Sequence, residues 1–339
     1  MDVQAFLDTV KADPAYAGQI VHVRTEAARE AVWAPLPRGL CPEARVFLDA
    51  QGISRLYRHQ AEAIEAAVEG KNVLLTTPAA SGKSLCYQLP LLHALLEDPH
   101  ATALLIFPAK ALARDQVAAW NRGLKALHGA LDISNLAAHA FDADVSSTGR
   151  LKARDEARVL LTNPEMLHVN ILPGNARWNR FLANLRLVVL DEIHTYSGFF
   201  GANTANLMRR LRRLCGHYGS RPRFLCASAT LGNPAEPATT LVGGPVHHVR
   251  ENTGASGRRT YVFWNPPQTK TRTWRGRRSA NVEAHELMIR LIRRGAATIC
   301  FSKARTTAEM IYRYVRDGLR KREPALADKV IPYRGGYNP

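Results

Sequence analysis

The residues of this chain best suited to chemistry are Gly82-Lys83-Ser84, which close the octapeptide Thr77-Pro78-Ala79-Ala80-Ser81-Gly82-Lys83-Ser84, and the acidic pair opening Asp191-Glu192-Ile193-His194, 108 residues after the lysine. A glycine at 82 lets the backbone approach anionic oxygens, so that successive N–H groups and the helix N-terminus behind them converge on phosphates. Lys83 then reaches the β- and γ-phosphates of a nucleoside triphosphate, and Ser84 places a hydroxyl on Mg²⁺. Thr77, Ala80 and Ser81 complete the cradle. The strict pattern has glycine where this chain has Thr77. A Gly-Lys-Ser turn that merely starts a helix is the competing reading. Two adjacent carboxylates at the end of an apolar run supply the rest of a hydrolytic site. Asp191 would hold the metal through water, and Glu192 would orient and deprotonate an attacking water. Either acid alone is an ordinary solvated strand end; beside the loop, the pair predicts a site for ATP and Mg²⁺.

Such a site needs elements that bring its parts together. Val73-Leu74-Leu75-Thr76 reads as a short buried strand running into the octapeptide, and Ser84 to Leu96 as the helix behind it. Further buried strands are predicted at Leu104–Phe107, Val159–Thr162, Leu187–Leu190 and Phe224–Ala227, and a helix from Arg58 to Glu69 stopping at Gly70. Uniformly apolar strands separated by helices predict an α/β fold with a mostly parallel sheet covered by helices on both faces. A carboxylate at the C-terminal end of such a strand faces the ligand crevice. Composition shifts around 252–281, where Thr269 to Arg278 is basic and poor in aliphatics. That places a hinge near 245–260 and a mobile segment near 268–280. A helix over Val282–Arg294, a strand at Thr298–Phe301 and a helix over Thr306–Arg322 then begin a second α/β unit. The expected division is a leader over 1–50, an ATP-binding domain over 51–245, a hinge and basic segment over 246–281, and the start of a second domain over 282–339.

The chain has 339 residues and a formal net charge of +17. Residues 1–245 hold 26 Lys/Arg against 22 Asp/Glu, whereas 246–339 hold 20 against 7. A basic excess concentrated in one stretch suits a surface that neutralises phosphates, with a coding bias towards arginine as the bland alternative. No apolar run approaches the roughly 18 to 20 residues of a membrane span, and no secretory signal is visible at the N-terminus. The expected setting is cytoplasmic and nucleoid-associated, with no membrane partner. Five widely spaced cysteines, with no Cys-x-x-Cys pair, argue against a disulfide framework or a zinc site.

Asp191-Glu192-Ile193-His194 and Ser228-Ala229-Thr230 resemble motifs II and III of superfamily-2 (DEAD/DEAH-box) helicases. Pro108 to Gln116 is similar to their motif Ia, Thr162 to Leu167 falls where motif Ib is expected, and Gln60 matches the glutamine that reads adenine upstream of the phosphate loop. Longer runs sharpen the resemblance: TNPEMLHVNILP, the stretch from Arg177 to Cys215, VFWNPP and the terminal YRGGYNP look like the YprA-like branch, DNA-repair helicases of the mitomycin-repair type. The resemblance covers nearly the whole chain. It implies a complete RecA-like P-loop domain over about 50–245 and an incomplete second one, with ATP-dependent 3′-to-5′ movement on single-stranded or partly duplex DNA in repair. It also implies that Ser228 and Thr230, with His194 as relay partner, couple hydrolysis to domain movement, and that Lys110, Arg114, Thr162 and Asn163 grip the sugar-phosphate backbone. Read alone, each of these is an ordinary strand-end, core or surface residue. Arg209, Arg210, Arg212 and Arg213 read as partly a solvated helix face; Trp264 and Trp274 could stack bases or pack, and stay unassigned.

Two departures stand out. Ala79 and Ala80 occupy positions where most of the broad family has Thr and Gly, and Ala79 lacks a hydroxyl that would firm the loop. The family also places an arginine finger, worth roughly 10³ to 10⁵ in rate, in a segment beyond YRGGY. The expectation is therefore a fragment of a longer protein or a truncated gene product. A nucleotide-dependent nucleic-acid-binding module without turnover is the alternative from a different class, and an RNA helicase a third.

Overall fold

A computed structural model of the protein describes residues 1–125, 127, 136–229, 233–270 and 275–333. The chain divides into two compact units, residues 29–256 and residues 1–28 together with those from 257 onward.

The larger unit is organised on seven strands: β1 (Val73–Thr76), β2 (Thr102–Ile106), β3 (Ala138–Ala140), β4 (Val159–Thr162), β5 (Leu185–Leu190), β6 (Arg223–Ser228) and β7 (His247–Val249). They lie in the order β7-β1-β6-β5-β2-β4-β3, and every neighbouring pair is parallel. The apolar runs follow from burial on both faces. Val73, Leu75, Ala103, Leu105, Val159, Leu161, Leu187 and Val189 share one core with the helices Glu43–Asp49, Arg58–Val68, Lys83–Glu97 and Lys110–Lys125. The alternate residues Leu74, Leu104, Ile106, Leu160, Val188 and Leu190 share the other core with the helices Gly198–His217 and Ala235–Val242. Each buried Val, Leu or Ile among them contributes about 1.5–3 kcal/mol, which keeps the strand interiors apolar. This is the α/β architecture the sequence predicts, with each expected strand of this unit in place. The short edge strands β3 and β7 escaped the sequence reading, because Ala-His-Ala and His-His-Val do not stand out as apolar runs.

The smaller unit pairs the strand Ile20–Glu26 antiparallel with Arg259–Trp264. Residues 1–28 therefore fold with the later part of the chain, whereas Ala44, Phe47 and Leu48 belong to the core of the larger unit. Composition could not divide the first 50 residues in this way, because the strand's partner lies more than 200 residues on. The helices Ala280–Arg293 and Arg305–Arg320 form as predicted and meet through Ile311, Val315 and Leu319 against Met288, Ile289 and Ile292. The predicted strand Thr298–Phe301 does not form among the described residues. Ile299 and Phe301 are exposed there; an apolar run becomes a strand only when a neighbour takes up its N–H and C=O groups. The predicted mobile segment contains an antiparallel pairing of Gln268–Lys270 with Arg275–Arg277. Trp264 is a packing residue whose Nε1–H donates to Glu283 Oε2 at 2.7 Å. Trp274 and the stretch after Tyr333, with most of YRGGYNP, lie outside the described residues. All five cysteines are free, and no described helix is long and apolar enough to cross a membrane.

One buried cation fastens the sheet to the helix behind the octapeptide. Arg158, just before β4, is buried and donates through Nε to Ala101 O at 3.0 Å and through Nη2 to Leu95 O at 2.6 Å and Asp98 O at 2.7 Å. The end of helix Lys83–Glu97 and the start of β2 are thereby tied to β4. Arg158→Met keeps the aliphatic stem but strips three carbonyls of their donor. It should lower stability by about 3 kcal/mol, read as a lower urea midpoint at unchanged slope; an unchanged midpoint would show that these bonds carry no net weight.

Candidate active site

Parallel pairing brings the sequence-predicted site residues to one edge. β6 lies between β1 and β5, with Thr76 opposite Ser228 and Leu190 opposite Cys226. The octapeptide after β1, Ser228 at the end of β6 and Asp191 just past β5 therefore emerge side by side. Asp191 N–H still donates to Ile106 O at 3.1 Å, so the first acid is held in sheet geometry.

The phosphate loop closes on itself through Thr77 Oγ1 and Ser81 Oγ, 2.6 Å apart. Ala80 and Gly82 adopt the left-handed conformation, at φ 61° and 77°. Gly82 has a second reason to lack a side chain: a Cβ there would collide with the Gln60 amide. Lys83 Nζ donates to Thr77 O at 2.8 Å and Pro78 O at 3.1 Å, curling back over the loop. Gln60 is buried with both ends of its amide committed, Oε1 accepting Tyr57 N–H at 2.9 Å and Nε2 donating to Gly82 O at 3.1 Å. Beside it, His59 was missed by sequence reasoning. Its Nε2 lies 3.0 Å from Ser81 O and its Nδ1 3.2 Å from Thr253 N, while its own N–H donates to Thr253 Oγ1 at 3.0 Å. The Thr253 amide can only donate, so Nδ1 accepts and Nε2–H donates to the loop. Burial holds this imidazole below its usual pKa, in keeping with a neutral ring.

Asp191 Oδ1 accepts Glu192 N–H at 2.8 Å. Its other oxygen lies 3.5 Å from the Tyr87 hydroxyl, which lies 3.2 Å from Ser84 Oγ. Burial pushes the Asp191 carboxyl up to about 6; repulsion from Glu192 adds to this, against the Glu192 amide and Lys83. Burial likewise raises Tyr87 well above the usual phenol range. Glu192 takes a left-handed φ of 51°, rare for a non-glycine residue. Among the described residues its buried Oε2 has no hydrogen-bond donor; it lies 3.2 Å from His194 Nδ1, which also receives Ala229 N–H at 3.4 Å. The carboxylate and the amide need that nitrogen in opposite roles, so His194 can serve only one at a time. Ser228 Oγ is fully buried and also without a partner among the described residues.

These observations fit a metal-bound triphosphate. The loop has the left-handed turns and close backbone approach of an anion cradle. Ser84 and Asp191 offer the hydroxyl and carboxylate oxygens that Mg²⁺ takes. Glu192 Oε2 and Ser228 Oγ are buried polar atoms awaiting a partner, a costly state that a ligand would relieve.

The nucleic-acid candidates divide. Lys110 and Arg114 are solvent-accessible and paired with Asp144 at 2.9 and 3.1 Å, Arg114 also lying 3.7 Å from Asp142. Thr162 and Asn163 are instead buried. Thr162 Oγ1 donates to Phe141 O at 2.7 Å, and Asn163 Oδ1 accepts Met166 N–H at 2.8 Å, capping the turn behind it. In this structure both side chains shape the turn. Thr230 lies outside the described residues.

A family model described as DEAD/DEAH box helicase matches residues 57–237. Among curated proteins, the chain is 39% identical over 312 residues to an uncharacterized ATP-dependent helicase, YprA, of Bacillus subtilis, covering 92% of this chain and 40% of that protein. It is 36% identical over 342 residues to the ATP-dependent helicase hrq1 of Schizosaccharomyces pombe, covering 99% of this chain and 32% of the relative. The chain thus spans well under half the length of either. Among solved structures, the crystal structure of the DUF1998 helicase MrfA bound to DNA and AMPPNP is similar over all of this chain and 46% of that one, with a TM-score of 0.86 and 35% identity.

Asp191→Asn tests the electrostatics of the site without any ligand. In the absence of nucleotide and divalent metal at pH 7, the variant should be more stable than the parent by about 2–3 kcal/mol. The folded-state value near 6 stands above the ordinary 3.8, so the parent gains stability as pH falls through 6 and the difference closes by about pH 4. Equal chemical-denaturation midpoints at pH 7 would show that Asp191 carries no burial penalty.

Proposed function

This chain belongs to the DEAD/DEAH box helicase family, and we propose that it is the ATP- and DNA-binding part of an ATP-hydrolysing DNA helicase or translocase. One observation supports this most: the phosphate loop, Ser84, Asp191 and Glu192 gather at the ends of three neighbouring parallel strands, with Ser84 and Asp191 both against Tyr87. Lys83 would exchange the Thr77 and Pro78 carbonyls for β- and γ-phosphate oxygens, and the loop amides would hold the rest of the triphosphate. Ser84 and Asp191 would hold Mg²⁺, which neutralises charge on those oxygens. Glu192, whose Oε2 lacks a donor, would orient the attacking water and take its proton. His194 would pass the state of Glu192 to Ala229 and Ser228 at the end of β6. Gln60 would read adenine by exchanging one of its two protein partners.

On the opposite side of helix Lys110–Lys125 from Gln116, Lys110 and Arg114 would exchange Asp144 for strand phosphates. The likeness to DNA-bound MrfA supports DNA as the track. The motif runs shared with the YprA-like branch support repair of nucleoid DNA and movement 3′ to 5′. Tailed duplexes test the polarity: unwinding from a 3′ overhang and not from a 5′ one is expected, and the reverse preference overturns it.

Glu192→Gln tests the catalytic assignment. ATP affinity should stay within about threefold, while turnover stimulated by single-stranded DNA should fall about 10² to 10⁴-fold. Steady-state ATPase and nucleotide titration read the two quantities separately, and undiminished turnover would assign the base elsewhere.

A further inference from the structure

Tyr87 lies one turn into helix Lys83–Glu97 and is almost wholly buried. Its hydroxyl touches two sites at once. On one side it lies 3.2 Å from Ser84 Oγ and 3.5 Å from Asp191 Oδ2; on the other it lies 3.1 Å from Gln116 Oε1. Gln116 belongs to helix Lys110–Lys125, whose Lys110 and Arg114 reach out to Asp144. Two residues beyond Arg114, it projects from the other side of that helix, at about 100° of rotation per residue. Gln88 Nε2, 3.5 Å from the same Gln116 oxygen, supports the orientation of the amide.

A phenol has one proton to give. Asp191 Oδ2 and Gln116 Oε1 can only accept, so they compete for it; Ser84 has a proton of its own to offer. Once the oxygens of Ser84 and Asp191 are engaged by a cation, the serine proton has Tyr87 as its acceptor and Asp191 withdraws from the competition. The phenol proton then goes to Gln116. The Tyr87 ring is buried and Ser84, Asp191 and Gln116 around its hydroxyl are half-buried, so solvent is a poor substitute for a lost partner.

We propose that Tyr87 and Gln116 are positioning residues through which occupancy of the metal–triphosphate site sets the seating of helix Lys110–Lys125, and with it the grip of Lys110 and Arg114 on a strand. The proposal rests on the functional reading above. Coupling of this kind is reciprocal: what the nucleotide does to strand affinity, the strand does equally to nucleotide affinity.

The test measures affinity for labelled single-stranded DNA with and without saturating Mg²⁺ and AMPPNP, on the whole chain. In the parent, the nucleotide should change the DNA Kd by about fivefold or more. Tyr87→Phe keeps the ring, so the separate affinities for DNA and for Mg²⁺–AMPPNP should each stay within about threefold while the nucleotide effect shrinks to less than about twofold. Gln116→Leu should do the same from the other end, so either variant decides the matter should the other fail to fold. The double variant should lose no more than either single one. A nucleotide effect that survives in both single variants, or losses that multiply in the double, would overturn the proposal. So would a parent that binds both ligands independently, leaving the functional reading intact. A parent that binds neither overturns that reading itself, and this proposal with it.

Discussion

Everything at the site depends on the parallel pairing of β1, β6 and β5. Parallel strands in register end at a common edge, and the loops beyond them bring three kinds of group to one place: converging amides after β1, a buried hydroxyl on β6 and two carboxylates after β5. With one strand between them, β1 and β5 lie roughly 10 Å apart. The Tyr87 hydroxyl, on the helix behind the octapeptide, lies 3.2 Å from Ser84 Oγ and 3.5 Å from Asp191 Oδ2 and so meets a group from each side. A single pairing constraint thus sets the width of the pocket and the position of its acids, and leaves a third side chain to hold the two walls in relation.

The same edge holds two unfavourable backbone conformations and two buried polar atoms that lack partners among the described residues. Ala80 and Glu192 are the non-glycine residues with positive φ among the described residues, each costing about 1–3 kcal/mol. Glu192 Oε2 and Ser228 Oγ are buried without partners, and Asp191 is ionised against its surroundings at neutral pH. Against a typical stability of about 5–15 kcal/mol, these terms would matter on a weaker scaffold. They persist because the sheet carries an apolar core on each face, with helices committed to both. This edge is a side of the domain where local rules of folding are broken, and binding a charged ligand there would offset part of that cost.

What could be read from the sequence follows the range of the interactions. The central strands were legible because burial on both faces makes them continuous apolar runs. The octapeptide and Asp191-Glu192 were legible because their chemistry is local. Pairings between distant residues were not: His59 with Thr253, Tyr87 with Gln116, and Ile20–Glu26 with Arg259–Trp264 leave no mark in either segment alone. Residue type alone did not give burial, in either direction. Thr162 and Asn163 are polar yet turned inward to shape a bend, while Ile299 and Phe301 are apolar yet exposed.

Charge also has to be read residue by residue. The basic excess after residue 246 suggests a phosphate-binding surface, but several of its arginines already have partners: Arg278 pairs with Glu283 and Glu286, Arg290 with Asp13 and Arg293 with Glu323. Lys110 and Arg114 are paired too, yet differently placed. Their partner Asp144 is about half exposed, and pairs of that kind are worth only about 0–1 kcal/mol. Exchanging such a carboxylate for a phosphate costs little, and the counterions released from the nucleic acid favour the exchange. Asp144 thus keeps both cations extended and in place without competing strongly for them. On the proposed reading, a weak pair at this position leaves both cations ready for a strand.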